Sequence, residues 1–345
     1  MTPEGRGAPA LPRTNQAPVR KAGVFSWEVA AEWFILGAGT FSPVRAPKGD
    51  LSAQTEASIV GSGEVLEFGC VTTSENSGAF RHEIAGVVRF SYPAKTGYAI
   101  STDDEAALEA VLYEPGRLDR RFRLFERLTV PSLVSQTDAD FRTILLVGHR
   151  MPDAALSRLE TAIRPLRGAM ILPLPALNHY DATRQAFTAA GSPGMTHLTG
   201  FRLDDDDALD RGFIARLRLV VDGLLASLAP ERGIVVGHNR GLFLHLSTAE
   251  PQIYEVVEKL PIGIGLSMTV KAGTNENIFR RNHRLLPQYY STFTDAVTPS
   301  FIRTIHSDND SEPYASGQVN RLGERTIRRI LDQHFPFTLD HLLGL

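Results

Sequence analysis

Met195-Thr-His-Leu-Thr-Gly-Phe-Arg-Leu-Asp-Asp-Asp-Asp-Ala-Leu-Asp210 sets four consecutive aspartates between two different periodicities. Ahead of them, Thr196 to Leu203 mixes β-branched and apolar residues with small polar ones and predicts a strand. Behind them, Phe213, Ile214, Leu217, Val220, Val221, Leu224, Leu225 and Leu228 recur at helical spacing, with Asp210 placed to cap the helix start. The acidic run therefore falls where a strand ends and the chain turns toward a helix. In an open α/β sheet, ligands bind just outside that end of the strands.

Four carboxylates packed this closely repel one another and titrate as a group. A hard divalent cation relieves the repulsion, because Mg²⁺ and Mn²⁺ take carboxylate oxygens and keep positions open for water or phosphates. A solvated acidic turn is the competing reading. Arg202, just before the run, is a fixed cation able to neutralise an aspartate or hold a phosphate.

Composition narrows the field. A chain of 345 residues has length for a large α/β core, and its formal net charge of −3 gives no support for a nucleic-acid or anionic-membrane partner. Cys70 is the only cysteine, which excludes an intrachain disulfide and a thiolate metal cage. No apolar run approaches the ~18 residues of a transmembrane segment, and the N-terminus lacks the layout of a signal peptide. A cytoplasmic protein is expected.

Residues 1 to 82 read as an N-terminal extension, partly disordered, rich at first in Pro, Gly and Ala. Within it Val24, Trp27, Ala31, Phe34 and Ile35 share one face of a short helix, for packing or for interfacial membrane contact, and Val65 to Val71 is a strand candidate. From 83 to 345 strand and helix patterns alternate. Ala85 to Phe90, Phe141 to Val147, Met170 to Leu174 and the strand before the aspartates are separated by helices near 106–113, 118–128, 153–163 and 181–190. Thr102 and Glu105 predict a capping box for the first helix, and the arginines of the second are expected to face water. This alternation argues α/β, a mainly parallel sheet flanked by helices. The C-terminal half is more mixed: Ile234 to Gly237 and Leu242 to Leu246 read as a hairpin about Asn239-Arg240-Gly241, Leu266 to Val270 and Phe301 to His306 as strands, and Thr326 to His334 as the final helix.

Against that background, Val130-Pro-Ser-Leu-Val-Ser-Gln-Thr-Asp-Ala-Asp-Phe141 resembles the helix-to-strand passage of family 2 glycosyltransferases of the GT-A fold. Asp181-Ala-Thr-Arg184 resembles a degenerate form of their Ala-Arg-Asn segment, and Phe201 to Leu209 their Asp-x-Asp-Asp motif. Arg89-Phe-Ser-Tyr92, the Leu-Tyr-x-Pro-x-Arg-Leu stretch from Leu112 to Leu118, the acidic run and Ile305-His306 are together similar to the bacterial putative rhamnosyltransferase family. Two departures stand out. Gly148-His-Arg-Met-Pro152 replaces the Asp-Asp-Gly-Ser that contacts the nucleobase, and no Glu-Asp pair supplies the catalytic base.

The resemblance implies a GT-A-like domain over 83–345 that transfers a sugar from a nucleotide-sugar donor to a saccharide or other hydroxyl acceptor. It places Arg89, Phe90, Ser91 and Tyr92 beside the nucleoside, Arg184 near base or ribose, and Arg202, Asp204 and Asp205 on the donor. Asp204, Asp206 and His306 become ligands of Mn²⁺ or Mg²⁺, with Asp204 and Asp206 on one face of an extended stretch and Asp205 and Asp207 turned from it. Asp207 and Glu276, the latter in a polar loop of the acceptor half, are the candidate catalytic carboxylates, while His197 and His283 read as structural. A non-catalytic protein of the same fold, binding a nucleotide or saccharide, is the alternative.

Overall fold

The computed structural model describes residues 80–96, 104–228, 232–309 and 315–345. The helix expected around Trp27 and the strand expected at Val65 to Val71 lie outside them.

Chain order gives β1 (His82–Arg89), α1 (Glu105–Leu112), α2 (Pro115–Leu124), a π-helical turn (Phe125–Thr129) running into α3 (Val130–Val134), β2 (Arg142–Gly148), α4 (Asp153–Ile163), β3 (Ala169–Leu174), α5 (His179–Ala190) and β4 (His197–Asp204). The second half holds β5 (Ala208–Leu209), α6 (Phe213–Leu228), β6 (Ile234–His238), β7 (Arg240–His245), β8 (Gln252–Val257), β9 (Ser267–Lys271), β10 (Ser291–Asp295), β11 (Phe301–Ile305), β12 (Gln318–Asn320), α7 (Glu324–His334) and α8 (Leu339–Leu343). No helix of the described residues is long and apolar enough to cross a membrane.

The main sheet has the order β10-β6-β9-β4-β1-β2-β3, and only β9 runs against the rest. Its central strands are apolar without alternation because both faces are covered. On one face, Val88, Leu145 and Phe201 pack beneath Phe122, Leu159, Phe213 and Leu217 of the helices. On the other, Val87 and Ile144 meet Ala182, Ala186 and Phe187 of α5, together with Ile278 and Phe279. A second sheet, β12-β8-β7-β11-β5, packs Leu242, Leu244 and Ile302 on Ile327, Leu331 and Phe335 of the C-terminal helices.

Three local expectations are corrected. The capping residue of α1 is Asp104, whose carboxylate accepts from the amides of Ala106 and Ala107; Thr102 lies outside the described residues. The final helix is α8, capped by Thr338. Residues 234–246 do not form a hairpin: β6 is already flanked by β9 and β10, so the chain crosses at buried Asn239 into the second sheet. There β7 pairs instead with β8, a strand the periodicity did not disclose, and Asn239 fixes the crossing by donating its side-chain amide to Glu258 O at 2.9 Å.

Candidate active site

Parallel pairing of β1 with β4 aligns Arg89 with Asp204, the last residue of each strand. The guanidinium of Arg89 donates to the Asp204 carboxylate, and Arg202 lies 3.9 Å from its other oxygen. Burial opposes ionisation of Asp204, yet Arg89 and then Arg202 outweigh it and hold the carboxyl well below its ordinary range. Just past β1, Ser91 has a φ of 47°, a left-handed conformation unusual for a residue with a side chain. Its hydroxyl accepts from Arg117 at 3.2 Å.

After Asp204 the backbone turns, so the alternation of an extended stretch no longer applies. Asp205 and Asp206, expected on opposite faces, instead share the guanidinium of Arg121. Its Nε and Nη2 grip Asp205 and its Nη1 donates to Asp206 Oδ2 at 2.9 Å. The expected outward-facing arginines of α2 therefore include one that is 7% exposed and pairs two buried carboxylates. The helical spacing of Leu118, Phe122 and Phe125 carried that signal, since 121 falls on the same face.

The short pairing of β5 with β11 brings the C-terminal half to the acidic run. Thr304 donates its hydroxyl to Asp206 O at 2.7 Å and its amide to Asp207 Oδ1 at 3.2 Å. Two residues further, just past the end of β11, His306 Nε2 lies 2.8 Å from Asp206 Oδ2, and Asn309 Nδ2 donates to the same oxygen at 3.2 Å. Burial works against the Asp206 carboxylate, but Arg121 and His306 lower its pKa. Asp207 forms no ion pair among the described residues; burial, with Asp206 and Asp204 beside it, pushes its pKa well above the usual range.

These groups line a cleft of about 620 Å³ at the carboxyl ends of β1 and β4. Leu108, Leu112, Tyr92 and Ala94 form an apolar side, and the segment Phe279–His283 forms a cover. Phe279 anchors that cover, its ring lying 5.1 Å from the Arg202 guanidinium and 5.1 Å edge-on from His179. Burial and the nearby arginines bring His179 down to about 3 and His283 to about 4, so both imidazoles are neutral at pH 7.

Residues 83–318 match the model of the family described as "Putative rhamnosyl transferase". The chain belongs to that family. Its layout is α/β, with a mostly parallel sheet and a mixed second sheet, as the resemblance implied. No curated protein matches the chain. Among solved structures it is similar to S. aureus TarS 1-349 in complex with UDP-GlcNAc, at 10% identity and a TM-score of 0.35, over 73% of this chain and 65% of that one. It is also similar to 4-diphosphocytidyl-2C-methyl-D-erythritol synthase from Anaerococcus prevotii, at 8% identity and a TM-score of 0.27, over 65% and 87% of the two chains. Likenesses this faint carry neither ligand nor mechanism across.

Within the domain that the family model matches, the expected site residues divide. Arg89, Ser91, Tyr92, Arg202 and all four aspartates line one cleft, and His306 reaches Asp206. Phe90 does not belong there: it is fully buried against Phe122 and Phe125 at 4.6 and 5.1 Å, because its side chain points from the strand into the helical layer. Arg184 sits on the outer side of α5 opposite Asp181, and Glu276 lines a separate pocket, held by Arg280 at 2.6 Å and the Tyr290 hydroxyl at 2.8 Å. Asp205 lines the cleft as well, with its carboxylate fully buried on Arg121. Arg117, Arg121, Phe279–Asn282, Arg303 and Asn309 join the cleft without having been singled out, and so does His283, which was expected to be structural. Arg117 lay inside a quoted motif, whereas the others arrive through tertiary pairing.

The donor set fits a divalent cation in part. Asp206 Oδ2 and His306 Nε2 are as close as two ligands of one ion, and Mg²⁺ or Mn²⁺ needs only one or two protein ligands when phosphates complete the shell. Asp204 does not join them. Arg89 and Arg202 engage it, and no three candidate ligand atoms of the cleft lie within 4.8 Å of one another among the described residues.

Proposed function

We propose that this protein transfers a sugar, rhamnose by the family description, from a nucleoside-diphosphate donor to a hydroxyl acceptor in a metal-dependent reaction. The observation that carries the reading is the Asp206–His306 pair, set beside an arginine-rich cleft where the parallel strands end. In this reading the donor nucleoside lies along Ser91, Tyr92, Leu108 and Leu112. Arg89 and Arg202 fix Asp204 toward the ribose, and Arg121 holds the turn that presents Asp206. Asp206 and His306 would hold the divalent cation, which would supply positive charge against the departing diphosphate. Asp207, the cleft carboxylate without an ion-pair partner among the described residues, takes the proton from the attacking hydroxyl.

Gly148 supports a nucleobase contact different from the family 2 pattern. A Cβ there would clash with Tyr113 Oη and meet Pro93 at 2.8 Å, so the residue capping α1 and the segment after β1 fill the space an aspartate would need.

A binding-only protein remains the second reading, favoured by one observation: Arg121, His306 and Asn309 already satisfy Asp206 without an ion. Thermal shift with pyrimidine and purine nucleotide sugars, with and without Mn²⁺, tests the donor. A true donor at a hundredfold its dissociation constant should stabilise the protein by ~2.7 kcal/mol. No shift with any nucleotide sugar contradicts the transfer reading, whereas a shift without release of nucleoside diphosphate favours the second.

A further inference from the structure

A second cavity, of about 360 Å³, opens where β4 and β6 begin and the antiparallel β9 ends. These are the strand ends opposite to those at the cleft, and among the described residues only Arg281 lines both spaces. The volume suits a small ligand of one ring.

Its lining holds two cations in an unfavourable arrangement. The register of β6 with β9 sets Ile234 opposite Thr269. A Cβ on Gly233 would meet Val270 Cγ1 at 3.0 Å, so the same register continues outward and brings Arg232 opposite Lys271. Like charges placed directly across a strand pair destabilise it, and neither residue has a hydrogen bond or ion pair among the described residues to relieve the repulsion. The Lys271 charge is felt at the cavity wall: after burial, it is what lowers the pKa of His197, leaving that imidazole neutral. An anion bridging the two cations would remove the conflict.

The rest of the lining is not that of a bare anion site. Tyr289, Tyr290, Leu225 and Val270 give it an apolar wall. Arg281 belongs to that wall, stacked 4.0 Å over Tyr289 and hydrogen-bonded to Tyr290, and is not counted as a ligand. Glu276 is the cavity's carboxylate. Arg280 takes one of its oxygens at 2.6 Å and the Tyr290 hydroxyl the other at 2.8 Å, which offsets its charge. Each oxygen keeps a lone pair for a further hydroxyl.

Independently of the reading of the cleft, we propose that this cavity is a second ligand site and that it takes a phosphorylated sugar. The phosphate bridges Lys271 and Arg232, the ring packs on the tyrosine wall, and a sugar hydroxyl donates to Glu276. Inorganic phosphate lacks the last two contacts and a neutral sugar lacks the first.

The test titrates the full chain calorimetrically with glucose 6-phosphate, glucose 1-phosphate, inorganic phosphate and glucose. One of the sugar phosphates should bind about tenfold or more tighter than either phosphate or glucose, and should lose about tenfold in Lys271→Gln and in Arg232→Gln. Both positions are exposed, so the unfolding midpoint of each variant should stay at the wild-type value, which keeps a loss of binding from being a loss of fold. Sugar phosphates that bind no tighter than inorganic phosphate or glucose overturn the proposal, as does wild-type affinity in both variants. Neither result touches the donor reading, which rests on the nucleotide-sugar shift.

Discussion

Arg121 is the residue on which the acidic turn depends. Removing a guanidinium from two buried carboxylates leaves them uncompensated, so Arg121→Leu should cost about 3–5 kcal/mol in denaturant unfolding. Arg121→Lys, which keeps the charge but loses the fork, should recover part of that loss. An unchanged midpoint in both variants would show that the turn is held by the β5–β11 pairing alone. Asp207 makes a different prediction. Its pKa is raised, and a base must be deprotonated to act, so the acid limb of kcat/KM should lie above the ordinary carboxylate range and disappear with the activity in Asp207→Asn. An acid limb near pH 4 would assign it to an unperturbed carboxyl instead. The four aspartates themselves were legible because their types and spacing need no partner to be noticed. Arg121 was legible only from helical phase, and Asn309 not at all, since nothing local in Ser307–Asp310 shows which strand it will meet.

At the scale of elements, the core of the main sheet rests on two aromatic-over-glycine contacts. The Phe201 ring lies where a Cβ on Gly86 would be, at 2.2 Å, and Phe187 lies 2.5 Å from the corresponding point on Gly200. Neither glycine has a positive φ, so the requirement is space and not backbone conformation. Gly86→Ala should therefore destabilise by about 1–3 kcal/mol despite alanine's better strand entropy. A neutral result would mean that Phe201 swings aside without loss. The alternating strands and helices of the first half could be read in advance because each strand is buried on both faces and each crossover helix carries its own stripe. The β6–β7 junction misled for a physical reason: two short apolar runs around Asn-Arg-Gly meet the local requirements of a hairpin, and only the occupied edges of β6 forbid it. Likewise β5, two residues long, has no periodicity to detect, although it carries His306 to Asp206.

For the molecule as a whole, the described fold begins at Phe80, which packs edge-on against His197, and Arg81, whose backbone bonds with Thr196 precede β1. We expect residues 80–345 expressed alone to unfold cooperatively and bind nucleotide as the full chain does. Aggregation of the shorter chain would show that the first 79 residues cover apolar surface. Acid stability bears on the same fold. His238 is buried with neither ring nitrogen hydrogen-bonded among the described residues, and burial lowers its pKa to about 3. A depressed pKa gives stability that is complete above the unfolded value near 6.5 and is lost as pH falls toward the folded one, so the melting temperature should drop between pH 6.5 and 4. His238→Phe should flatten that slope. The central claim, that the Asp206–His306 pair serves sugar transfer, is tested most directly by release of nucleoside diphosphate from the stabilising nucleotide sugar, with Mn²⁺ and an acceptor present. The wild type should turn over and stop when the metal is chelated, and Asp206→Asn should lose turnover while remaining folded. Undiminished turnover in Asp206→Asn would contradict the assignment.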